Sequence, residues 1–127
     1  MLSEFLAVTT LVVTDIELAK PFYEGQLGLT LIEETPAGIR FGAGKGSQLT
    51  IRRGQPPAGG LTVMHFEVDD VEAVVRDLTS RGVIFEEYET PKTVNFIAQF
   101  GPVRAAWFKD PAGNVLGLRE GPVAAAG

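Results

Sequence analysis

The stretch Leu11-Val12-Val13-Thr14-Asp15-Ile16-Glu17-Leu18-Ala19 has a near copy 55 residues later, Phe66-Glu67-Val68-Asp69-Asp70-Val71-Glu72-Ala73-Val74. In both copies an apolar, β-branched run ends at an aspartate, and a helical pattern follows. The match continues downstream, where Leu27-Gly28-Leu29 corresponds to Arg81-Gly82-Val83. A repeat that spans a strand, a helix and a glycine stop predicts two copies of one supersecondary unit.

Each copy predicts the element order βαβββ. Asp15 and Asp70 are placed to cap the two helices, because their carboxylates can accept hydrogen bonds from first-turn amides. Pro21 has no amide to donate, so the first helix should be bent or irregular there. The predicted strands lie near residues 8–13, 29–34, 38–43 and 48–53 in the first copy, and near 61–68, 84–89, 105–109 and 115–119 in the second. Residues 91–102 fit no element and are interpreted as a loop over a cavity.

The chain of 127 residues is predicted to form one domain, 1–127, built from two modules. Module one covers about 4–53 and module two about 61–120. Two prolines and three glycines make 54–60 a linker, and 121–127 is a tail. The sequence Asp110-Pro111-Ala112-Gly113-Asn114 predicts a turn that joins the last two strands into a hairpin.

Composition limits the classes of function. The net charge is −5 and the eleven basic residues are scattered, so nucleic acid is not an expected partner. No apolar stretch reaches about 18 residues and the N-terminus has no basic leader, so we expect neither export nor a membrane partner. The default location is cytoplasmic. The absence of cysteine excludes disulfides and thiolate metal sites.

Four features of the sequence resemble one known group of proteins. They are the strand before Asp15, the pair Phe22-Tyr23, the pair Leu27-Gly28 and the segment Phe108-Lys109-Asp110-Pro111-Ala112-Gly113-Asn114. This group is the glyoxalase / bleomycin-resistance / extradiol-dioxygenase superfamily, also called vicinal oxygen chelate proteins. The resemblance covers nearly the whole chain. It implies an α+β fold in which two βαβββ modules form a curled mixed sheet with a concave cleft and helices on the outer face. It also implies frequent homodimers, sometimes with modules exchanged between chains.

The resemblance further implies where such a protein would hold a divalent metal. Three of the usual ligand positions fall on Val8, Val63 and Gly117, whose side chains cannot coordinate a cation. The fourth falls on Gln48, a neutral amide. The single histidine of the chain cannot supply a two-histidine site within one subunit. We therefore expect no metal and no other cofactor, which argues against metal-dependent catalysis.

Strand alternation predicts which side chains face the cleft. Met64 and Phe66 should lie under the helix, which turns His65 to the opposite face. The same alternation gives five candidate ligand-binding residues: Thr10, Gln48, Arg52, His65 and Trp107. Each has a structural alternative, since His65 suits a structural histidine, Trp107 a dimer interface, and Arg52 an ion pair with an acidic neighbour.

Three hypotheses of function follow, because one scaffold of this kind hosts many activities. The preferred one is a metal-free protein that binds a partly aromatic or hydrophobic small molecule in the cleft, in the manner of bleomycin-resistance proteins. The second is a lyase, isomerase or dioxygenase with a non-standard metal site. The third is a dimeric regulatory or interaction domain. The expected partners are a small-molecule ligand and a second copy of the chain in a homodimer.

Overall fold

Strand β1 opens the first of two four-stranded sheets in the computed structural model, which describes residues 1–56 and 60–122. A 3-10 turn, Leu2–Glu4, precedes this sheet. Its elements follow in chain order: β1 (Val8–Val13), α1 (Ile16–Pro21), a π-helical turn (Phe22–Gln26), β2 (Thr30–Thr35), β3 (Gly38–Gly42), a 3-10 turn (Gly44–Gly46) and β4 (Gln48–Arg53). The strand order is β1-β4-β3-β2, with β1 parallel to β4 and the other pairs antiparallel.

The second sheet repeats this arrangement. Its elements are β5 (Thr62–Glu67), α2 (Val71–Ser80), β6 (Ala98–Phe100), β7 (Val103–Lys109) and β8 (Val115–Glu120). The strand order is β5-β8-β7-β6, again with the first and last strands of the copy parallel. The predicted α+β class and the two βαβββ copies are therefore confirmed.

The two aspartates that define the repeat both cap helices. Asp15 Oδ1 accepts from the amides of Glu17 at 2.9 Å and Leu18 at 3.3 Å. Asp70 Oδ1 accepts from the amide of Ala73 at 3.1 Å. These bonds satisfy first-turn amides that have no partner within a helix, so the capping prediction is confirmed in both copies.

The first helix changes its geometry at Pro21. The α-helical part ends at this residue, and the chain continues as the π-helical turn Phe22–Gln26. Proline removes one helical hydrogen bond and crowds the preceding turn, which accounts for the change. The turn leaves Phe22 and Tyr23 buried, and Gly28 then takes a left-handed φ of 72° that ends the segment.

The predicted strand near residues 84–89 is wrong. The structure has only isolated bridges there, Phe85 with Phe108 and Glu89 with Lys92, and the third strand of the copy is instead β6. Both segments pair with β7, since Ala98 lies opposite Ala105. Two short segments thus share one edge of β7. The strand β6 lies within residues 91–102, for which the sequence predicted no helix or strand.

Contacts divide the chain into two units. The first comprises Met1–Gly60 together with Asp110–Asn114, and the second comprises Leu61–Lys109 together with Val115–Gly127. The assignment of 1–127 to one domain with modules at about 4–53 and 61–120 stays a prediction. Part of the predicted linker, 57–59, and most of the predicted tail, 123–127, lie outside the described residues. Within the described ranges, no helix is long and apolar enough to cross a membrane.

Candidate functional site

In the second unit, one sheet face carries aromatic and polar side chains in a single row. His65 on β5 lies opposite Gly117 on β8, and Gly117 lies opposite Trp107 on β7. We call the surface around these three residues the His65–Trp107 face. Met64 and Phe66 are half-buried while His65 is exposed, as the alternation along β5 predicts.

Gly117 forms the floor of this row. A Cβ atom there would lie 3.3 Å from His65 Cβ and 3.4 Å from Trp107 Cδ1. The first distance is tighter than most Cβ contacts and the second lies at the edge of ordinary van der Waals contact, so the two flanking side chains close in on the glycine. Gly117 is buried, and the absence of a side chain there allows the side chains of His65 and Trp107 to lie close to β8.

A charged network lies on the same face as His65. His65 Nε2 is 3.0 Å from Glu67 Oε1, and Arg119 Nη1 donates to Glu67 Oε2 at 3.1 Å. The hydrogen bond from His65 is the main cause that lowers the pKa of Glu67, and Arg119 acts in the same direction. Glu67 therefore carries its negative charge near neutral pH and orients the imidazole through Nε2.

Tyr88 adds a second aromatic ring to this face. Its ring centroid lies 5.6 Å from that of Trp107, with the planes tilted by 60°. Partial burial, followed by the charge of Glu86, raises the pKa of the Tyr88 hydroxyl, which therefore stays protonated at neutral pH. This contact between the two rings helps to hold the indole in place.

In the first unit, the corresponding sheet face is polar and cationic. Thr50 on β4 lies between Thr10 on β1 and Arg40 on β3, and Arg52 follows two residues along β4. A groove of about 440 Å³ is lined by these four side chains and by residues of β2 and the β2–β3 turn. Arg40 Nη1 donates to Gln48 Oε1 at 3.3 Å, which orients the glutamine amide.

The five predicted site residues fall into two groups. Thr10, Gln48 and Arg52 share one sheet face of the first unit, and His65 and Trp107 share one row of the second. Arg52 takes part in no salt bridge within residues 1–56 and 60–122, so the predicted ion pair with an acidic neighbour is not observed there. The assignment of the five to ligand binding stays a prediction.

Arg40 and Tyr88 are among the residues of these faces that were missing from the predicted set. Arg40 was detectable, because Ile39 and Phe41 on either side of it are apolar and buried, which turns Arg40 to the polar face. Tyr88 was not detectable, because the segment that carries it was assigned to a strand that does not form. Its contact with Trp107 arises between a loop and β7.

The side chains present do not fit the divalent metal of the superfamily. Val8 pairs with Gln48 across β1 and β4, so the strands place an aliphatic side chain beside the one remaining donor. The oxygen of that donor already accepts from Arg40. Among the residues that the structure describes, no three His, Cys, Asp or Glu side chains form a group able to hold a metal ion.

Known structures resemble this chain over nearly its full length. The chain is 30% identical to a glyoxalase/bleomycin resistance protein from Streptomyces sp. CB03234, with 90% of this chain and 98% of that one covered and a TM-score of 0.65. It is 29% identical to TnmS3, an antibiotic binding protein from the same strain, with 93% and 96% covered and a TM-score of 0.68. The lactoylglutathione lyase from Agrobacterium tumefaciens shares the fold at 21% identity, with 92% and 93% covered and a TM-score of 0.68.

No curated protein sequence matches the chain. A family model does, over residues 5–118, and its description is the Glyoxalase/Bleomycin resistance protein/Dioxygenase superfamily. The match includes both copies of the repeat and the Asp110–Asn114 turn. The chain therefore belongs to the glyoxalase/bleomycin resistance protein/dioxygenase superfamily.

Proposed function

We propose that this protein is a metal-free small-molecule-binding protein, and that a partly aromatic or hydrophobic ligand lies on the His65–Trp107 face. The observation that carries the proposal is the row of His65, Gly117 and Trp107, in which an accessible imidazole and a half-buried indole flank a glycine on one sheet face. The resemblance places a metal-binding glutamate at Gly117, and a glycine cannot bind a metal through a side chain. Two relatives at 29% and 30% identity, described as an antibiotic binding protein and a glyoxalase/bleomycin resistance protein, support a binding role.

The chemistry of the His65–Trp107 face favours a planar ligand. An aromatic ring stacked on Trp107 gains about 0.5–1.5 kcal/mol beyond the burial of its area. Because Nε2 of His65 is engaged by Glu67, Nδ1 is the ring nitrogen available to a polar group of the ligand. A ligand with one aromatic face and one hydrogen-bonding substituent thus matches this surface.

Trp107 provides the test, because it is the only tryptophan in the chain. Its fluorescence is followed while natural products and aromatic metabolites are added one at a time. We expect saturable quenching by some of these compounds. His65→Ala should weaken the best quencher by about 1–3 kcal/mol if the imidazole hydrogen-bonds it.

The affinity of the best quencher is also measured for variants of the first unit's face, which shows whether residues there contribute to binding. These variants are Thr10→Ala, Gln48→Ala and Arg52→Ala. Thr9→Ala is the matched control, since Thr9 neighbours Thr10 on β1 but points to the other side of the strand. If no compound changes the fluorescence of Trp107, and Trp107→Phe alters only the oligomeric mass, the residue belongs to an interface and the proposal fails.

The contact between His65 and Glu67 favours a second candidate, a lyase or isomerase that acts without a metal. An oriented imidazole beside a carboxylate can accept a proton from a bound molecule. The test incubates each quenching compound with the protein and follows its mass and isomeric composition by liquid chromatography. A conversion that is lost in Glu67→Gln while quenching persists would support catalysis, and unchanged compounds would leave binding as the function.

A further inference from the structure

A large cavity of the second unit lies away from the His65–Trp107 face. It measures about 1020 Å³ and is bordered by α2, by the loop 92–97 and by Gln99 and Arg104. Arg104 and Trp107 are three residues apart on β7, so their side chains point to opposite faces of the sheet. We call this space the α2 groove.

One wall of the α2 groove is apolar. It contains Val75 from the helix and Val94, Phe96 and Ile97 from the loop. Phe96 is 37% exposed and its ring centroid lies 6.4 Å from that of Phe85, so the ring packs on the core while one side stays open to the groove. Exposed apolar side chains that line a concave surface are typical of a ligand site.

Basic side chains also line the α2 groove, together with the carboxylate of Glu72. Arg104 is engaged there by Glu72, to which it donates a short hydrogen bond, and by Glu120 at 3.8 Å. Arg76 and Lys92 also line the groove, and neither forms a salt bridge within the ranges 1–56 and 60–122. A cavity with two basic side chains that have no salt bridge to any described residue is unexpected in a chain whose net charge is −5.

The loop that forms the apolar wall is held in an unusual conformation. Asn95 and Phe96 have φ values of 53° and 72°, in the left-handed region that non-glycine residues rarely adopt. The carboxylate of Glu87 fixes them, accepting from the Phe96 amide at 2.9 Å and from the Thr93 hydroxyl. Strained backbone of this kind persists where the surroundings impose it, and it concentrates at ligand sites.

We propose that the α2 groove is a second binding site, separate from the His65–Trp107 face, and that it takes a small amphipathic carboxylate. The hydrocarbon or aryl body of the ligand lies against Val75 and Phe96. Its carboxylate is bound by Arg76 and Lys92. Charge complementarity selects an anion, and the apolar wall selects a molecule with a hydrophobic body over a free inorganic ion.

Decanoate is a suitable probe, with decanol as the neutral molecule of equal chain length. Each is titrated into the ¹⁵N-labelled protein while backbone amide shifts are recorded. We expect decanoate to shift amides of residues 72–80 and 92–99 saturably, and the double variant Arg76→Gln/Lys92→Gln to weaken it about tenfold or more. The matched control is Lys45→Gln/Arg53→Gln, which removes the same charge elsewhere on the surface and should leave the affinity unchanged.

Three results would overturn the proposal: equal affinity for decanoate and decanol, shifts centred on His65 and Trp107, or equal weakening by both double variants. A fall in sedimenting mass in Arg76→Gln/Lys92→Gln without decanoate would also overturn it, since a second copy of the chain would then occupy the groove. If decanoate does not bind in the α2 groove, the proposed function is unaffected, because Trp107 fluorescence reports on the opposite face of the sheet.

Discussion

Replacing Tyr23 by phenylalanine removes one buried hydrogen bond and little else. The phenol is fully buried, and its hydroxyl donates to Asp110 Oδ2 at 2.7 Å, where Asp110 is only 4% exposed. A hydrogen bond to a charged group contributes about 1.5–3 kcal/mol to stability. We expect Tyr23→Phe to lower the free energy of unfolding by about that amount and the melting temperature by about 5–10 °C.

The surroundings of Asp110 place the expected loss within this range. Its carboxylate also accepts from the amides of Ala112 at 2.9 Å and Asn114 at 2.8 Å, and from Asn114 Nδ2 at 2.9 Å. These three bonds remain in the variant, so the charge is not left without partners. Asp110→Asn should cost more, because it removes the charge and places a donor where Tyr23 and Asn114 already donate.

The same contact predicts a dependence on pH. Burial is the main cause that raises the pKa of Tyr23 far above its ordinary value of 10.0, and the charge of Asp110 acts in the same direction. The unfolded chain therefore loses this proton near its ordinary pKa while the folded chain keeps it. The stabilisation that the Tyr23 hydroxyl contributes is therefore fully present below the pKa of the unfolded chain, and it is lost as the pH rises above that pKa. The stability gap between wild type and Tyr23→Phe should narrow by about 1.4 kcal/mol between about pH 9 and about pH 11.

Urea unfolding followed by circular dichroism at several pH values measures both effects. Tyr88→Phe is the control, because the hydroxyl of Tyr88 makes no hydrogen bond within the part of the chain that the structure describes. It should change stability at neutral pH by less than about 0.5 kcal/mol. A Tyr23→Phe variant as stable as wild type, or a gap that stays constant above pH 10, would refute the role assigned to this contact.

Three further predictions concern metal, Gly117 and the loop 92–97. Elemental analysis after growth with zinc, nickel, manganese and iron should find no stoichiometric metal. About one metal per chain, lost in His65→Ala or Gln48→Ala, would contradict this. Gly117→Val should weaken ligands that quench Trp107 by about tenfold or more, since the added side chain displaces His65 and Trp107 from their positions. Unaltered quenching would exclude that site. Glu87→Ala should lower stability by about 1–2 kcal/mol and weaken decanoate, because the Phe96 amide loses its acceptor; a variant of wild-type stability and decanoate affinity would refute this.

Local signals in the sequence predicted much of the fold. The caps at Asp15 and Asp70 depend on hydrogen bonds that span two or three residues, so their signature is contiguous in the chain. The boundaries of β4, Gln48–Arg53, were predicted correctly because Leu49 and Ile51 alternate with polar residues and a glycine turn precedes them. Alternation also identified the faces that carry Thr10 and His65.

Non-local pairing accounts for the misplaced strand. Residues 84–89 alternate well enough to suggest a strand, but β7 offers only one free edge there, and Ala98–Phe100 takes part of it. The choice depends on how the loop between the two segments folds. Glu87 accepts hydrogen bonds from two groups of that loop, the Thr93 hydroxyl and the Phe96 amide. A hydrogen bond between a carboxylate and a backbone amide nine residues away leaves no periodic pattern in the sequence, so it could not be predicted.

The contact between Tyr23 and Asp110 also explains why the sequence identified the superfamily better than it identified the ligand. The motifs Phe22-Tyr23 and Asp110–Asn114 lie 87 residues apart, yet they meet in one buried hydrogen bond. Asn114 Nδ2 also donates to the carbonyl of Val12 at 2.9 Å, which fixes the turn against β1. These residues are therefore required by the fold, whatever molecule a member binds. Specificity must reside in positions that the motifs leave free, and here Gly117 beside Trp107 is such a position.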